Sequence, residues 1–162
     1  MFLLRFLYVA LLALWLGGAV ALVGLAAPAT FEVLQQEYPD TGRSLAGRVF
    51  GETLRRFHLA SYAAGALMVM CLAGIATMAP SPVGVGGKVG VVLAMLIASA
   101  YSGVVVSPRI ERIQQAIGQP VASLPAGDPR RGQFGRLHAL STALLAAGAA
   151  GTLLLLYWEA RR

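Results

Sequence analysis

The sequence is poor in charge, in cysteine and in histidine. Only 12% of its 162 residues are charged, 57% are hydrophobic, and the mean hydropathy is +0.71. That leaves too little polar surface to cover a soluble globule of this size. The single cysteine, Cys71, excludes an internal disulfide and reads as a small core hydrophobe. The sequence contains no Walker or Rossmann glycine pattern, no CxxC pair and no paired carboxylates within an apolar run. Ser61 and Ser141 lie near histidines, but without an oxyanion site. Enzyme chemistry is therefore not expected. Thirteen basic residues against seven acidic ones give a net charge of +6 and a pI near 10.3. With no nucleic-acid motif or stacking platform, that excess points to membrane topology and anionic lipid head groups, and away from nucleic acid.

Long apolar runs fill the space that these absences leave. Four stretches, 6–27, 59–79, 89–107 and 137–158, reach the roughly 20 residues that cross a bilayer core of about 30 Å. The first exceeds the apolar core of a secretory signal, about 7–15 residues, and is expected to stay as an anchored helix. The expected fold is all-α, a single membrane domain over 1–162 built as a four-helix bundle. The long connections 29–56 and 108–136 then share one side. They carry nine arginines, Arg43, Arg48, Arg55, Arg56, Arg109, Arg112, Arg130, Arg131 and Arg136, against Arg5, Lys88, Arg161 and Arg162 on the other. Lysine and arginine favour the cytoplasm, so both connections are placed there and both termini outside it.

The connections have structure of their own. Asp40 and Thr41 are good N-caps, and Leu45, Val49, Phe50 and Phe57 follow at helical spacing, which predicts an interfacial helix running into the second span. PRIERIQQAI is expected to continue helically beyond Pro108. GQPVASLPAGDPRRGQ, 118–133, has three prolines and three glycines and reads as a mobile loop, and APSPVGVGG, 79–87, as a short turn on the opposite side.

The two histidines stand in matching surroundings. RRFHLASY at 55–62 precedes the second span and GRLHALST at 135–142 precedes the fourth. His58 and His138 lie 80 positions apart (138 − 58), as do Arg56 and Arg136, Ser61 and Ser141, and Pro28 and Pro108 at the ends of the first and third spans. EVLQQ at 32–36 echoes ERIQQ at 111–115 with one residue slipped. This placement suggests two tandem helical hairpins related by a pseudo-twofold axis along the membrane normal, with both histidines at one depth. Small residues four apart, Ser61 and Gly65, Ser99 and Gly103, Ala147 and Gly151, either let helices approach closely or clear a slot for a flat cofactor. Trp15 lies near mid-membrane, an unusual depth for tryptophan, and is expected to face the interior or a cavity.

LWLGG and AAPATF in the first helix, SPRIE closing the third and FGRLHALS opening the fourth resemble the transmembrane protein 205-like family, whose bacterial members are catalogued as a domain of unknown function. The resemblance covers nearly the whole chain. It implies the four-helix membrane fold and the bacterial inner membrane, and brings no biochemical activity with it. More distantly, the layout is similar to copper-resistance D-type and haem-handling membrane proteins.

Three functions follow from these residues. The first is a small accessory or structural subunit of a membrane assembly, with the histidines bonded near helix ends to a serine one turn later, a neighbouring glutamate, or head groups and water. Arg109 would there clamp a helix end through Glu32 or Glu111. The second is a b-type haem, or a metal, held by His58 and His138, with Arg56 and Arg136 near the propionates. In an up-down bundle the second and fourth helices are diagonal, about 11–14 Å apart at ordinary packing distances, a gap that suits a macrocycle better than a bare ion. The third is transport or metal resistance. It needs a polar path across both leaflets, and little beyond Tyr101, Ser99, Thr77 and Thr152 supplies one. A visible absorption spectrum of protein from haem-replete cells separates the first two. Ligation predicts a Soret band that disappears in His58→Ala and in His138→Ala, and an accessory role predicts a colourless, metal-free preparation.

Overall fold

A computed structural model describes residues 1–78 and 84–161. Helix α1, Phe2–Ala21, passes through a π turn at Leu22–Ala26 into α2, Ala27–Glu37. Helix α3, Gly42–Met78, is uninterrupted. Helix α4, Val85–Tyr101, passes through a second π turn at Ser102–Val106 into α5, Ser107–Ile117. A 3-10 turn at Val121–Ser123 leads to α6, Pro129–Ala160. Of the turn expected at 79–87, residues 79–83 lie outside the described residues.

Four helical rods result, of 36, 37, 33 and 32 residues, each apolar enough over part of its length to cross a membrane. They pack in the cyclic order α1, α3, α4, α6, so α3 and α6 are neighbours of α1 and α4 but diagonal to each other. The bundle closes on a seam in which buried positions alternate three and four residues apart. The seam runs through Tyr8, Leu12, Trp15, Ala19 and Leu22 in the first rod and through His58, Ser61, Gly65, Met68, Leu72 and Ile75 in α3. It continues through Val85, Lys88, Val92, Met95, Ser99, Ser102 and Val106 in the third rod, and Ser141, Gly148, Thr152 and Leu155 in α6. A mean spacing of three and a half residues keeps one stripe of each helix turned inward along its length. The outer faces are apolar too, with Leu14, Leu25, Ile97, Val104 and Leu153 all more than half exposed, which suits lipid and not water.

At about 1.5 Å per residue the rods are roughly 48–56 Å long, well beyond a hydrocarbon core of about 30 Å. The more polar part of each rod lies at the end where α2 turns into α3 and α5 leads to α6. The helix passes both prolines there, past Pro108 as expected and past Pro28 as well. Each proline lacks an N–H and its ring crowds the carbonyl four residues back, so the hydrogen-bond ladder is disturbed. The π turns just before Pro28 and Pro108 widen the ladder at that point, and the chain continues helically through both. The start of α3 does not form a separate helix lying along the interface. It is coaxial with the second span and packs on α2, with Phe31 and Phe50 rings 6.5 Å apart. Gly42 permits this tight return, because a Cβ there would lie 2.9 Å from the Gln35 Cα and closer still to the Leu34 carbonyl.

The connection expected to be mobile is pinned at several points. Gly118 ends α5 with φ of 67°, Leu124 is buried, and Arg131 Nη1 donates to the Leu124 carbonyl at 3.3 Å. Asp128 caps α6 by accepting the Arg130 backbone N–H at 2.9 Å and the Arg130 guanidinium at 2.7 Å. These bonds from Arg130 hold the Asp128 carboxyl below the usual carboxylate range.

The small-residue positions are filled by neighbouring side chains. Gly65 lies against Leu96, Gly151 against Met95 at 2.8 Å from where a Cβ would be, and Gly103 against Tyr62 and His58. Gly51, by contrast, has nothing within 4 Å of where a methyl group would stand. Gly51→Ala should therefore stabilise the bundle by roughly 0.5–1 kcal/mol through helix propensity, whereas Gly42→Ala should destabilise it by about 1–3 kcal/mol through a backbone clash. Reversible unfolding in mixed micelles measures both. Because the folded-state pKa of Asp128 is depressed, its contribution is full above the ordinary value of about 3.9 and is lost as pH falls through the lower folded value. Asp128→Asn should flatten the unfolding midpoint's dependence on pH from about 4 downward.

Candidate functional site

The seam admits polar residues at a few positions, and they gather at two levels. At the first, α3 presents His58, 3% exposed, to α4. His58 Nδ1 and Ser99 Oγ are 3.0 Å apart, and the Tyr62 hydroxyl donates to the Ser99 carbonyl at 3.3 Å. Gly103 makes room for this cluster, since a Cβ there would lie 3.2 Å from the imidazole. Ser102 Oγ and Ser141 Oγ, 3.4 Å apart, extend the layer to α6. A small cavity beside His58 is lined by Trp15, Phe57, Met95, Ser99, Ser102 and Gly148, among others, with about 10 Å³ of space for the centre of a water-sized molecule. Trp15 is buried at 4% exposure, facing inward as expected.

The partner of His58 is thus on a neighbouring helix. Side chains on a helix lean toward its N-terminus, so His58 reaches away from Ser61, one turn C-terminal. The Ser61 hydroxyl and His58 Nε2 are both buried without a hydrogen-bond partner.

His138 is placed differently. It is exposed on the outer face of α6, its ring stacked on Phe134 with centroids 6.0 Å apart. Near this level the seam of α6 passes through half-buried Leu137, one residue away, and one residue on a helix is a rotation of about 100°. Equal sequence spacing therefore does not give equal burial, and the two histidines are not brought together. Ligation of one iron by both imidazoles would require α6 to turn His138 inward and the interior to open far beyond the volume of one water. Arg56 is exposed and, with Arg55, grips Glu52, at 2.8 and 2.7 Å. Arg136 is exposed and forms no ion pair among the described residues. Arg109 pairs with neither Glu32 nor Glu111. No cluster of three or more metal-ligating side chains occurs among the described residues.

The second polar level is near the chain termini. Lys88, 3% exposed, forms an ion pair with Glu159, and its Nζ lies 5.9 Å from the centroid of the fully buried Tyr8 ring. Charge counting from the sequence treats Lys88 as a marker of topology and gives Glu159 no part. The signal within the sequence is the three-and-four spacing from Lys88 through Val92, Met95 and Ser99, which puts the lysine on the inner stripe. An isolated ammonium there demands a carboxylate.

A family model described as a domain of unknown function, DUF4149, matches residues 10–119. The chain belongs to the DUF4149 family. No curated protein and no solved structure matches it. The DUF4149 match takes in Trp15, His58, Tyr62, Ser99 and Ser102 and stops short of α6, where His138 lies.

The two histidines should respond unequally to truncation. His58→Ala, which empties a core position and strands Ser99, should cost roughly 2–4 kcal/mol in mixed-micelle unfolding, and His138→Ala no more than about 0.5 kcal/mol. Glu159→Ala should destabilise the bundle by removing one carboxylate from a buried ion pair, and Lys88→Met combined with Glu159→Leu should restore most of the loss.

Proposed function

We propose that this four-pass membrane protein is a small accessory subunit of a larger assembly in the bacterial inner membrane. The observation that carries this reading is the helical extension of all four rods past their most apolar stretches at a single end. All nine arginines of that end are exposed, and Arg43, Arg48, Arg109, Arg112 and Arg136 have no carboxylate within 4.0 Å among the described residues. Six of the seven acidic residues share this end, so its net charge is modest and the unpaired arginines, not the bulk charge, are what it offers. We place this end in the cytoplasm, where unpaired guanidinium groups meet anionic head groups and acidic surfaces of other membrane subunits.

The resemblance to the transmembrane protein 205-like family belongs to the same reading, as does an origin in two tandem hairpins. In support of the latter, the π turns at Leu22–Ala26 and Ser102–Val106 repeat the 80-residue offset of Pro28 and Pro108. The stretches 6–27, 59–79, 89–107 and 137–158 are the most apolar parts of the rods, and the packing of Trp15, His58, Ser99 and Gly148 around one cavity carries the embedded part of α3 further toward its N-terminus than residue 59.

Extraction into native lipid particles tests the role. The protein should run as part of a species larger than its own monomer or homo-oligomer, and Arg48→Glu with Arg112→Glu should release it. A lone chain in every membrane preparation would contradict an accessory role. Orientation is read separately by a membrane-impermeant thiol reagent on single cysteines at positions 48 and 131. They should react in inverted vesicles and stay unreactive in intact spheroplasts.

A further inference from the structure

The cavity beside His58 combines features that rarely coincide inside an apolar bundle. It lies on the seam, where His58 is 3% exposed, and it is bounded by α1, α3, α4 and α6 through Trp15, His58, Ser99 and Gly148. His58 lines it, and the imidazole's Nε2 is buried without a hydrogen-bond partner. The edge of Trp15 that carries Nε1–H faces α6, 3.5 Å from where a Cβ on Gly148 would be. The Ser102 hydroxyl reaches Ser141 only at 3.4 Å, a long contact that leaves it capacity for a second bond.

The volume limits what can enter. About 10 Å³ for the centre of a water-sized sphere is the space of a single water and excludes any ring compound or chain. The chemistry limits it further. Nδ1 is engaged with Ser99, and either tautomer leaves Nε2 in need of a partner, a donor if bare and an acceptor if protonated. The Trp15 N–H is a donor only. Water supplies both roles, whereas an empty cavity would leave Nε2 unsatisfied in a medium where that is costly.

We propose that this cavity is a hydration site holding one ordered water, bonded to His58 Nε2, the Trp15 N–H and the Ser102 hydroxyl. That water joins the first, second and third rods through one polar node, and the Ser102–Ser141 contact carries the layer on to α6.

Solid-state NMR of the full chain in lipid vesicles, labelled with ¹⁵N-histidine, tests this directly. His138→Gln leaves a single imidazole to observe. Polarisation transfer from water to the His58 ring is expected in the otherwise native protein, and its loss is expected in Ser102→Val, which fills the cavity with a methyl group. Trp15→Phe, which removes the N–H without adding volume, should reduce the transfer and gives an independent test if Ser102→Val does not fold. A folded protein whose His58 receives no polarisation from water would overturn the proposal. So would transfer that persists undiminished in either folded variant, or a co-purifying small molecule found in the cavity.

Discussion

Four apolar helices in lipid gain little from hiding apolar surface, because lipid is as apolar as their own interior. What fixes this bundle is the requirement that its few polar side chains leave the hydrocarbon. The three-and-four spacing of the buried positions meets that requirement for all four rods at once, turning His58, Lys88, Ser99, Ser102, Ser141 and Thr152 to the inside. Leu, Ile and Val can face either way. The imidazole and the ammonium have only one acceptable direction, and they set the rotation of α3 and α4 about their axes.

Packing follows from that orientation. Once His58 faces α4, Gly103 must be small, Tyr62 can reach the Ser99 carbonyl, and Trp15 closes the layer from α1. Near the termini the Lys88–Glu159 pair plays the same part between α4 and α6, with Tyr8 against the lysine. Between these levels the seam is Leu12, Met68, Leu72, Val92, Met95 and Leu155, an apolar plug that keeps the two polar centres apart. Such an interior is organised to hold a structure together.

The fold class was legible because length, composition and hydropathy bear directly on whether a helix can cross a bilayer. The π turns were half legible, since Pro28 and Pro108 marked the places where the ladder must give and PRIERIQQAI was expected to run on helically past Pro108, but nothing marked the same continuation past Pro28. The inward face was hardest to read. In a soluble helix the polar side identifies the outside, whereas here Leu14 and Ile97 on the lipid side are as apolar as Leu12 and Val92 on the inner side. That is why the matching sequence around His58 and His138 suggested a matched pair, while a shift of one residue in the α6 seam turned one ring outward. The signal within reach was the run from Lys88 to Ser99 and Ser102, because a seam with a lysine in it has a side.

The engagement of His58 with Ser99 is the interaction from which the register of the bundle follows. A double-mutant cycle on His58→Ala and Ser99→Ala, by reversible unfolding in mixed micelles, measures it without assuming any function. The structure predicts a coupling energy of about 0.5–3 kcal/mol for this pair and none beyond about 0.3–0.5 kcal/mol when His138→Ala replaces His58→Ala. Additive effects for His58 and Ser99, or coupling of Ser99 to His138 instead, would contradict it.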